Sequence, residues 1–198
     1  GKSNNGTISG AVWERLSSGL WYLDFDGTDD NVNCGDVTQM NSASTLTIKG
    51  WFNQTVLDAT DNMFDKYKDG DERLLTYTYA TDGLMYLCIY NVGTTYGTFD
   101  YSTVVTAGKW FHFVEVFDGT LAGNANRLKL YIDNVLQTLT FTGTIPATTA
   151  NMAGFNFFLS QTSNAFNGGM ALLTACSSAW TQSQVTNNRN QERHLFGV

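Results

Sequence analysis

Apolar and polar side chains alternate along most of this 198-residue chain, and this period-two pattern limits the fold more than any other feature. Successive side chains of a β-strand point to opposite faces, so the pattern indicates strands with one buried and one exposed side. Residues 109–117, with the sequence KWFHFVEVF, show it most clearly. The sequence therefore predicts an all-β fold, and alternation assigns these aromatic residues to its core: Trp21, Trp51, Trp110, Phe113 and Phe117.

Turn residues divide the chain into predicted strands. Asp-Gly, Gly-Thr and Asp-Asn pairs accept the backbone angles that tight turns require. The strands are predicted at residues 20–25, 45–54, 74–79, 84–90, 96–102, 109–117, 127–132, 135–141, 155–159 and 166–175. A helix is expected at residues 181–190, with Thr181 as its N-cap. Turn signals about 8 to 12 residues apart favour a two-layer antiparallel β-sandwich of the jelly-roll kind, formed as one domain by residues 1–198.

Charge and hydropathy argue against two kinds of partner. The net charge of −7 would repel a nucleic-acid backbone, so we expect no nucleic acid to bind. We also expect no membrane insertion, because no apolar run approaches the about 20 residues that a spanning helix needs. Cys34, Cys88 and Cys176 lie far apart in apolar contexts. They are either small buried side chains or include one disulfide, whose pair the sequence leaves open.

Four segments match the motifs of one family in the expected order. They read LDFDGTDDNV at residues 23–32, LTIKGWF at 46–52, GKWFHF and FDGT within 108–120, and LKLYIDNV at 128–135. Each is a strand with its turn, and together they span most of the chain. The chain resembles the laminin-G-like domains of bacteria, archaea and phages, which are members of the concanavalin A-like lectin/glucanase superfamily.

The resemblance implies a concanavalin A-like jelly roll located outside the cell, on its surface or on a virion. Such domains are commonly accessory modules that bind carbohydrate or protein, often with one structural calcium ion. The family usually has an earlier strand before the segment that corresponds to residues 4–7, which leaves open that the chain is a piece of a longer protein. Ala171 stands where an aspartate is common, so one calcium ligand of the family is expected to be missing.

Carboxylates cluster at the turn after the first predicted strand, where Asp24, Asp26, Asp29 and Asp30 lie within seven positions. Calcium takes 6 to 8 oxygen ligands, which such a turn can supply together with backbone carbonyls and water. Aspartate also caps its own backbone in turns, and the sequence leaves both interpretations open. If a calcium ion binds, we expect Asp26, Asp29 and Asp30 to be its ligands.

Aromatic and polar residues concentrate between predicted strands 84–90 and 96–102. An aromatic face stacks on the apolar face of a sugar ring, while amides and carboxylates bond its hydroxyls. We expect an exposed ligand platform on a rim of loops at residues 60–71, 91–101, 121–126 and 161–167, although ordinary sheet packing also explains these residues. Within this rim, residues 65–71 are expected to form a solvated loop. The candidate ligand-binding residues are Asn91, Tyr96, Phe99, Asp100 and Tyr101.

The carboxylates do not form the pattern that glycan cleavage requires. Glycanases of this superfamily use an E-x-D-x-E triplet, in which one carboxyl group protonates the leaving group and another attacks or activates water. The four glutamates of the chain are scattered. We therefore expect a non-catalytic module that recognises carbohydrate or a surface partner. The second interpretation is a structural decoration or knob domain of a phage, a virus or a surface filament. Such a domain would assemble as a homo-oligomer or within a larger particle. The third interpretation is a glycan hydrolase or lyase.

Overall fold

The computed structural model describes residues 6–57 and 59–198, which form two antiparallel sheets packed face to face. In chain order the strands are β1 (Thr7–Ser9), β2 (Val12–Arg15), β3 (Trp21–Asp26), β4 (Asn31–Asn33), β5 (Thr45–Gln54), β6 (Asp61–Tyr67), β7 (Glu72–Tyr79), β8 (Leu84–Asn91), β9 (Tyr96–Asp100), β10 (Trp110–Asp118), β11 (Leu128–Ile132), β12 (Val135–Leu136), β13 (Thr140–Thr142), β14 (Phe157–Leu159) and β15 (Asn167–Cys176). One sheet has eight strands in the order β1-β4-β14-β6-β7-β8-β9-β13, and the other has seven in the order β12-β11-β10-β5-β15-β3-β2. The predicted two-layer sandwich is confirmed.

The core lies between the two sheets and is dominated by aromatic rings. Phe52 on β5 contacts Phe113 on β10 edge to face at 5.5 Å, and Phe113 contacts Phe64 of the opposite sheet at 6.0 Å. All three rings are fully buried, as are Phe25 and Phe166. Edge-to-face pairs of this kind add to the stabilisation that burial of apolar surface already supplies. The alternation along the predicted strands therefore marks the interior correctly in the centre of the sandwich.

A two-residue hairpin and a capped helix form as the sequence predicts. Asp133 and Asn134, both with positive φ, join β11 to β12. Helix α1 (Asn124–Arg127) is a single turn, and helix α2 (Gln182–Glu192) begins after the N-cap Thr181. The Thr181 hydroxyl accepts a bond from the Gln184 backbone, and the Gln184 side chain accepts one from the Thr181 backbone, as in a capping box. Neither helix is long or apolar enough to cross a membrane, and no other α-helix lies in the described ranges.

Of residues 65–71, predicted as a solvated loop, only 68–71 form an exposed turn, and 65–67 belong to a strand. Strand β6 includes residues 61–67, and the side chains of Asp65 and Lys66 are fully buried. Lys66 Nζ lies 2.5 Å from Asp36 Oδ1, and Asp65 accepts two bonds from Arg73. Buried charges persist only when they are paired, as these are. The prediction was wrong because the sequence pattern assigns charged residues to the surface without showing their partners.

Two further predictions need correction. Residues 135–141 are not one strand, because β12 lies in the seven-stranded sheet and β13 in the eight-stranded sheet. Trp21 was expected in the core but is 55% exposed, whereas Trp51 is fully buried. Trp21 is exposed because it lies on the outermost part of its sheet, where β3 pairs only with the edge strand β2. Cys34, Cys88 and Cys176 are free thiols.

Candidate functional site

Four tyrosines form a continuous aromatic surface, here called the tyrosine face, on the side of the eight-stranded sheet that points away from the core. They are Tyr77 and Tyr79 on β7, Tyr86 on β8 and Tyr96 on β9. The rings of Tyr77 and Tyr86 stack with 4.9 Å between their centroids, and Tyr86 lies 5.2 Å from Tyr96. Tyr79 meets Tyr77 and Tyr86 edge to face at 6.3 and 6.2 Å. The rings therefore cross three adjacent strands without a break.

The strand register explains why these rings meet on the outer face. Tyr77 lies directly opposite Tyr86 in the pairing of β7 with β8, and opposed side chains share one face of a sheet. Alternation then directs Thr76 and Thr78 inward, where both are fully buried. The Thr76 hydroxyl donates to Glu115 Oε2 at 2.6 Å. Polar threonines thus face the interior and tyrosines face outward, the reverse of what hydrophobicity alone predicts.

A groove of about 330 Å³ lies beside the tyrosine face and combines apolar rings with polar groups. Its aromatic walls are Tyr77, Tyr79 and Tyr90, and none of its lining residues carries a carboxylate. A mixture of aromatic faces with a few hydrogen-bonding groups is typical of sites that hold small polar ligands. The groups available for hydrogen bonding come from Thr60, Asn62, Arg73, Ser163 and Asn164.

The guanidinium group of Arg73, which lines this groove, is neutralised and held in place. Arg73 donates from Nε to Asp65 Oδ1 at 2.9 Å and from Nη2 to Asp65 Oδ2 at 2.5 Å. Gln161 Nε2 donates to the same Asp65 Oδ2 at 2.5 Å. The guanidinium carbon also lies 5.0 Å from the centroid of the Tyr67 ring. A bidentate pair with these supports fixes the guanidinium geometry, so Arg73 offers a rigid donor without adding net charge to the groove.

Two phenol groups of the tyrosine face, those of Tyr77 and Tyr86, have pKa values raised above the ordinary one. Tyr86 donates its hydroxyl to Asp82 Oδ2 at 2.6 Å, and this bond raises the pKa of Tyr86 to about 12. Burial raises the pKa of Tyr77 further above its ordinary value of 10.0. Tyr77 and Tyr86 therefore stay protonated at neutral pH.

Two of the five residues predicted to bind ligand are accessible from this side. Tyr96 is part of the tyrosine face, and Asp100 is exposed at the opposite end of β9. Asp100 Oδ1 accepts a bond from the Ser102 hydroxyl at 2.7 Å, so one of its oxygens already has a local partner. Of the tyrosine face, the sequence therefore predicted only Tyr96, which lies at one edge.

The other three residues predicted to bind ligand make contacts within the protein instead. Phe99 packs against the core, and Asn91 Nδ2 donates to the Thr148 carbonyl at 3.1 Å. Tyr101 is fully buried, and its hydroxyl donates to the Leu57 carbonyl. The expectation that Tyr101 belongs to an exposed platform is wrong, because β9 ends at Asp100 and the chain then turns inward.

The four loops predicted to form one rim lie at two ends of the sandwich. At one end, a bridge between Asn62 and Ala165 joins the start of β6 to residues 161–167. At the other end, Asn91 and Asn124 both bond to residues 143–148. Strand β7 runs between the two groups. Tyr77, Tyr79 and Tyr86 were not predicted as site residues, although the two-residue spacing of Tyr77 and Tyr79 places both on one face of β7.

The three aspartates predicted to bind calcium lie together at the turn after β3. Oxygens of Asp26, Asp29 and Asp30 lie within 4.8 Å of one another. Asp30 Oδ2 accepts a bond from the Asp26 backbone at 2.8 Å, and Asp26 Oδ1 accepts one from the Thr28 backbone. Burial raises the pKa of the adjacent Asp24, with further contributions from Glu14, Asp30 and Asp26 in that order. Three carboxylates that converge among like charges form a suitable site for a hard cation such as calcium. The hydrogen bonds that Asp26 and Asp30 accept from the backbone are also those of ordinary turn capping by aspartate.

Ala171 has no bearing on this cluster. It pairs with Trp51 and is buried with Phe196, while Asn167, four residues earlier on β15, is the residue opposite Asp26. Four residues of strand span about 13 Å. An aspartate at residue 171 would therefore lie far from Asp26, so Ala171 removes no ligand from this turn.

Two antiparallel sheets packed face to face in this order define a jelly-roll sandwich of the concanavalin A-like class. The sequence model of the concanavalin A-like lectin/glucanases superfamily, of the laminin G type, matches residues 26–186. The match covers most of the chain, and the chain belongs to this family. Comparison with functionally curated proteins finds no match.

Solved structures share the fold at low sequence identity. Domain 4 of AbnA, an extracellular GH43 arabinanase of Geobacillus stearothermophilus solved with arabinotriose, superposes with a TM-score of 0.61 at 18% identity, covering 92% of this chain and 86% of that domain. The heptameric SAP-like pentraxin of Limulus polyphemus gives 0.56 at 17% identity, covering 82% and 78%. The receptor-binding domain of botulinum neurotoxin C/D mosaic serotype gives 0.69 at 10% identity, covering 96% of this chain and 47% of that one.

Proposed function

We propose that this chain is a non-catalytic glycan-binding module whose ligand lies across the tyrosine face and its groove. The observation that carries the proposal is the unbroken row formed by Tyr77, Tyr86 and Tyr96, with centroids about 5 Å apart. The apolar face of a sugar ring stacks on an aromatic face, and polar groups beside the ring take up its hydroxyls. The groove supplies both kinds of surface. AbnA domain 4, the similar structure solved with arabinotriose, supports this ligand class.

The charges of the site favour a neutral glycan. Arg73 is paired with Asp65, and Tyr86 remains protonated because its hydroxyl donates to Asp82. An acidic sugar would gain no unpaired cation there and would meet a chain of net charge −7. We therefore expect neutral pentose or hexose polymers to bind better than uronic acid polymers.

The surroundings of the carboxylates support a binding role without catalysis. Glycan cleavage needs two carboxyl groups that face the same bond. Asp65 is locked between Arg73 and Gln161, while Glu115 points into the core and is bound by Thr76. Neither can reach a sugar on the tyrosine face, and the two aspartates that do lie on that side already accept hydroxyl bonds, Asp82 from Tyr86 and Asp100 from Ser102. The similarity of this chain to a domain of an extracellular arabinanase supports a location outside the cell.

A glycan array followed by calorimetry tests the proposal. The array carries neutral plant and bacterial polysaccharides, with arabinotriose as the first oligosaccharide. We expect Tyr77→Ala and Tyr86→Ala to weaken binding at least about fivefold, because loss of one stacked ring removes roughly 1 kcal/mol or more. Tyr86→Phe keeps the ring and should retain most of the affinity. Trp13→Ala, an exposed aromatic residue on the other sheet, is the control.

Failure of this test would take one of two forms. A blank array, together with ordered oligomers in solution, would favour a structural assembly domain over a glycan-binding module. Binding that is unchanged in Tyr77→Ala and Tyr86→Ala would place the ligand elsewhere and contradict the proposed site.

We propose separately that Asp26, Asp29 and Asp30 hold one calcium ion that stabilises the turn after β3. Their convergence within 4.8 Å supports this assignment. The ion would supply charge compensation and order to the turn, and the remaining ligands would be backbone carbonyls and water. This turn joins β3 of the seven-stranded sheet to β4 of the eight-stranded sheet, whereas the tyrosine face lies on β7, β8 and β9.

A further inference from the structure

Strand β15 has a neighbour on both sides along only its first half. On one side it pairs with β5 from Gly168 to Cys176. On the other side it pairs with β3 only from Asn167 to Met170. From Leu172 to Cys176, no strand of the described ranges lies on that second side. The backbone groups that point to this side therefore form an open sheet edge inside the seven-stranded sheet, which is a template for another strand.

The second half of β15 has no neighbour on this side because β3 diverges from it. Beyond Leu23, which is opposite Met170, residues Trp21 and Tyr22 pair only with the edge strand β2. On β15, the register with β5 shifts after Ala171, and Leu172 adopts a φ of 52°. A left-handed residue at a bulge redirects the strand. The two halves of the sheet separate at this point and leave a wedge between them.

An apolar groove fills the wedge and follows the open edge. One cavity of about 450 Å³ lies between Trp13 and Trp21 on one wall and Leu172 and Leu173 on the other. A second cavity of about 260 Å³ shares Leu173 and continues past Thr174 and Ala175. The groove therefore extends along the same stretch of β15 whose edge is unpaired.

Two tryptophans in this groove face inward and yet are exposed. Trp13 lies directly opposite Leu23, and Trp21 lies two residues before Leu23 on the same strand, so all three share the core-side face. Leu23 and Phe25 are buried, with exposures of 8% and 1%, but Trp13 is 57% exposed and Trp21 55%. Inward-facing tryptophans without a covering layer mark an interaction surface.

We propose that the groove binds an extended polypeptide strand from outside residues 1–198, which pairs with β15 from Leu172 to Cys176 and inserts every second side chain, an apolar one, between the two walls. Addition of a strand to a sheet edge combines backbone hydrogen bonds with pockets for alternate side chains, and both elements are present here. Five residues of β15 match a strand of about 17 Å. The inference is independent of the glycan site, which lies on the other sheet.

The size of the exposed surface favours a single strand over a second copy of this chain. The uncovered parts of Trp13 and Trp21 amount to roughly 200 to 300 Å² together, taking the area that a buried tryptophan removes from water. A stable protein interface buries about 800 Å² on each partner. A flat dimer would leave the recessed edge of β15 unpaired, whereas a strand fills the groove and completes the sheet.

Amide hydrogen exchange with a synthetic peptide tests this proposal. The probe is an acetylated and amidated heptapeptide, Lys-Val-Thr-Val-Thr-Val-Lys, added in excess and, in a second arm, fused to the chain through a flexible linker to raise its effective concentration. The control peptide has the same composition without alternation, Lys-Val-Val-Val-Thr-Thr-Lys. We expect the alternating peptide to slow exchange of free-edge amides between Leu172 and Cys176 at least tenfold and to shift tryptophan emission to shorter wavelength.

Protein variants locate the binding surface. Trp13→Ala should weaken peptide binding at least about tenfold while glycan binding is unchanged, and Val135→Ala, an exposed apolar residue on the opposite edge strand β12, should have no effect. The proposal is overturned if neither the free nor the fused alternating peptide protects these amides, or if the control peptide protects them equally. It is also overturned if the amides are already protected in the peptide-free protein and sedimentation shows a dimer.

Discussion

Glu115 carries a carboxyl group into the interior between the two sheets, where the Thr76 hydroxyl is its hydrogen-bond donor. Burial raises the pKa of Glu115 from 4.5 to about 7. The folded protein therefore holds this proton up to a higher pH than the unfolded chain does. Stability from this group is greatest below pH 4.5 and is lost as the pH rises through about 7.

The first prediction concerns the pH dependence that Glu115 imposes. A shift from 4.5 to about 7 corresponds to a loss of about 3 kcal/mol in the free energy of unfolding over that interval. Asp61, whose pKa burial raises to about 6, acts in the same direction. We expect Glu115→Gln to be more stable than the wild type at pH 8 and to lose less stability between pH 5 and pH 8.

Urea denaturation at the two pH values measures the effect. The exposed Glu14→Gln removes the same charge without changing the interior, so it should follow the wild-type pH dependence. An unchanged slope in Glu115→Gln would contradict the account of a buried carboxyl group that binds its proton on folding.

At the scale of elements, helix α2 depends on its polar attachments. Val185 is its only buried residue, so apolar burial contributes little to its docking. Its end is held by Glu192, which bonds Lys49 Nζ at 2.6 Å and Trp51 Nε1 at 2.8 Å. Its start is held by the capping box at Thr181. Such a helix is sensitive to the loss of single hydrogen bonds.

The second prediction is that Thr181→Ala lowers the free energy of unfolding by about 1 kcal/mol, because the first turn loses its side-chain acceptor. Thr181→Ser retains the hydroxyl and should stay close to the wild type. Thermal or urea denaturation followed by Trp51 emission provides the measurement, since Trp51 contacts the end of this helix. Equal stability of the alanine and serine variants would show that the cap does not stabilise α2.

The third prediction concerns the turn after β3. If Asp26, Asp29 and Asp30 share a calcium ion, millimolar calcium should raise the melting temperature and EDTA should reverse the gain. Asp29→Asn should weaken the response, while Asp82→Asn, which alters an aspartate on the other sheet, should leave it intact. A melting temperature that is indifferent to calcium in the wild-type protein would restrict these aspartates to turn capping.

Sequence reasoning succeeds for elements whose hydrophobic pattern matches their burial. Strand β10 and the Asp133-Asn134 hairpin follow from alternation and turn chemistry alone. Strand β6 was missed because Lys66 is buried against Asp36, a partner 30 residues away that no local pattern reveals. The tyrosine face was missed because buried Thr76 is stabilised by Glu115 of the other sheet. Both failures involve polar side chains that are buried only because a residue distant in sequence pairs with them.

At the scale of the whole molecule, the two sheets present different surfaces. The eight-stranded sheet carries the tyrosine face and, beside it, the fixed cation Arg73. The seven-stranded sheet carries helix α2 and the open edge of β15, and the aspartate turn joins the two sheets. The tyrosine face and the open edge can act independently on a rigid sandwich, because each depends on the strands of its own sheet. Mutations on one sheet should therefore leave binding on the other unchanged.

The central claim is that the tyrosine face binds a neutral glycan. Its most direct test is an NMR titration of the wild-type protein with the best neutral oligosaccharide from the array. We expect the largest shifts at Tyr77, Tyr86, Tyr96 and Arg73, and their loss in Tyr77→Ala. Shifts confined to the seven-stranded sheet, or shifts that persist in Tyr77→Ala, would contradict the account.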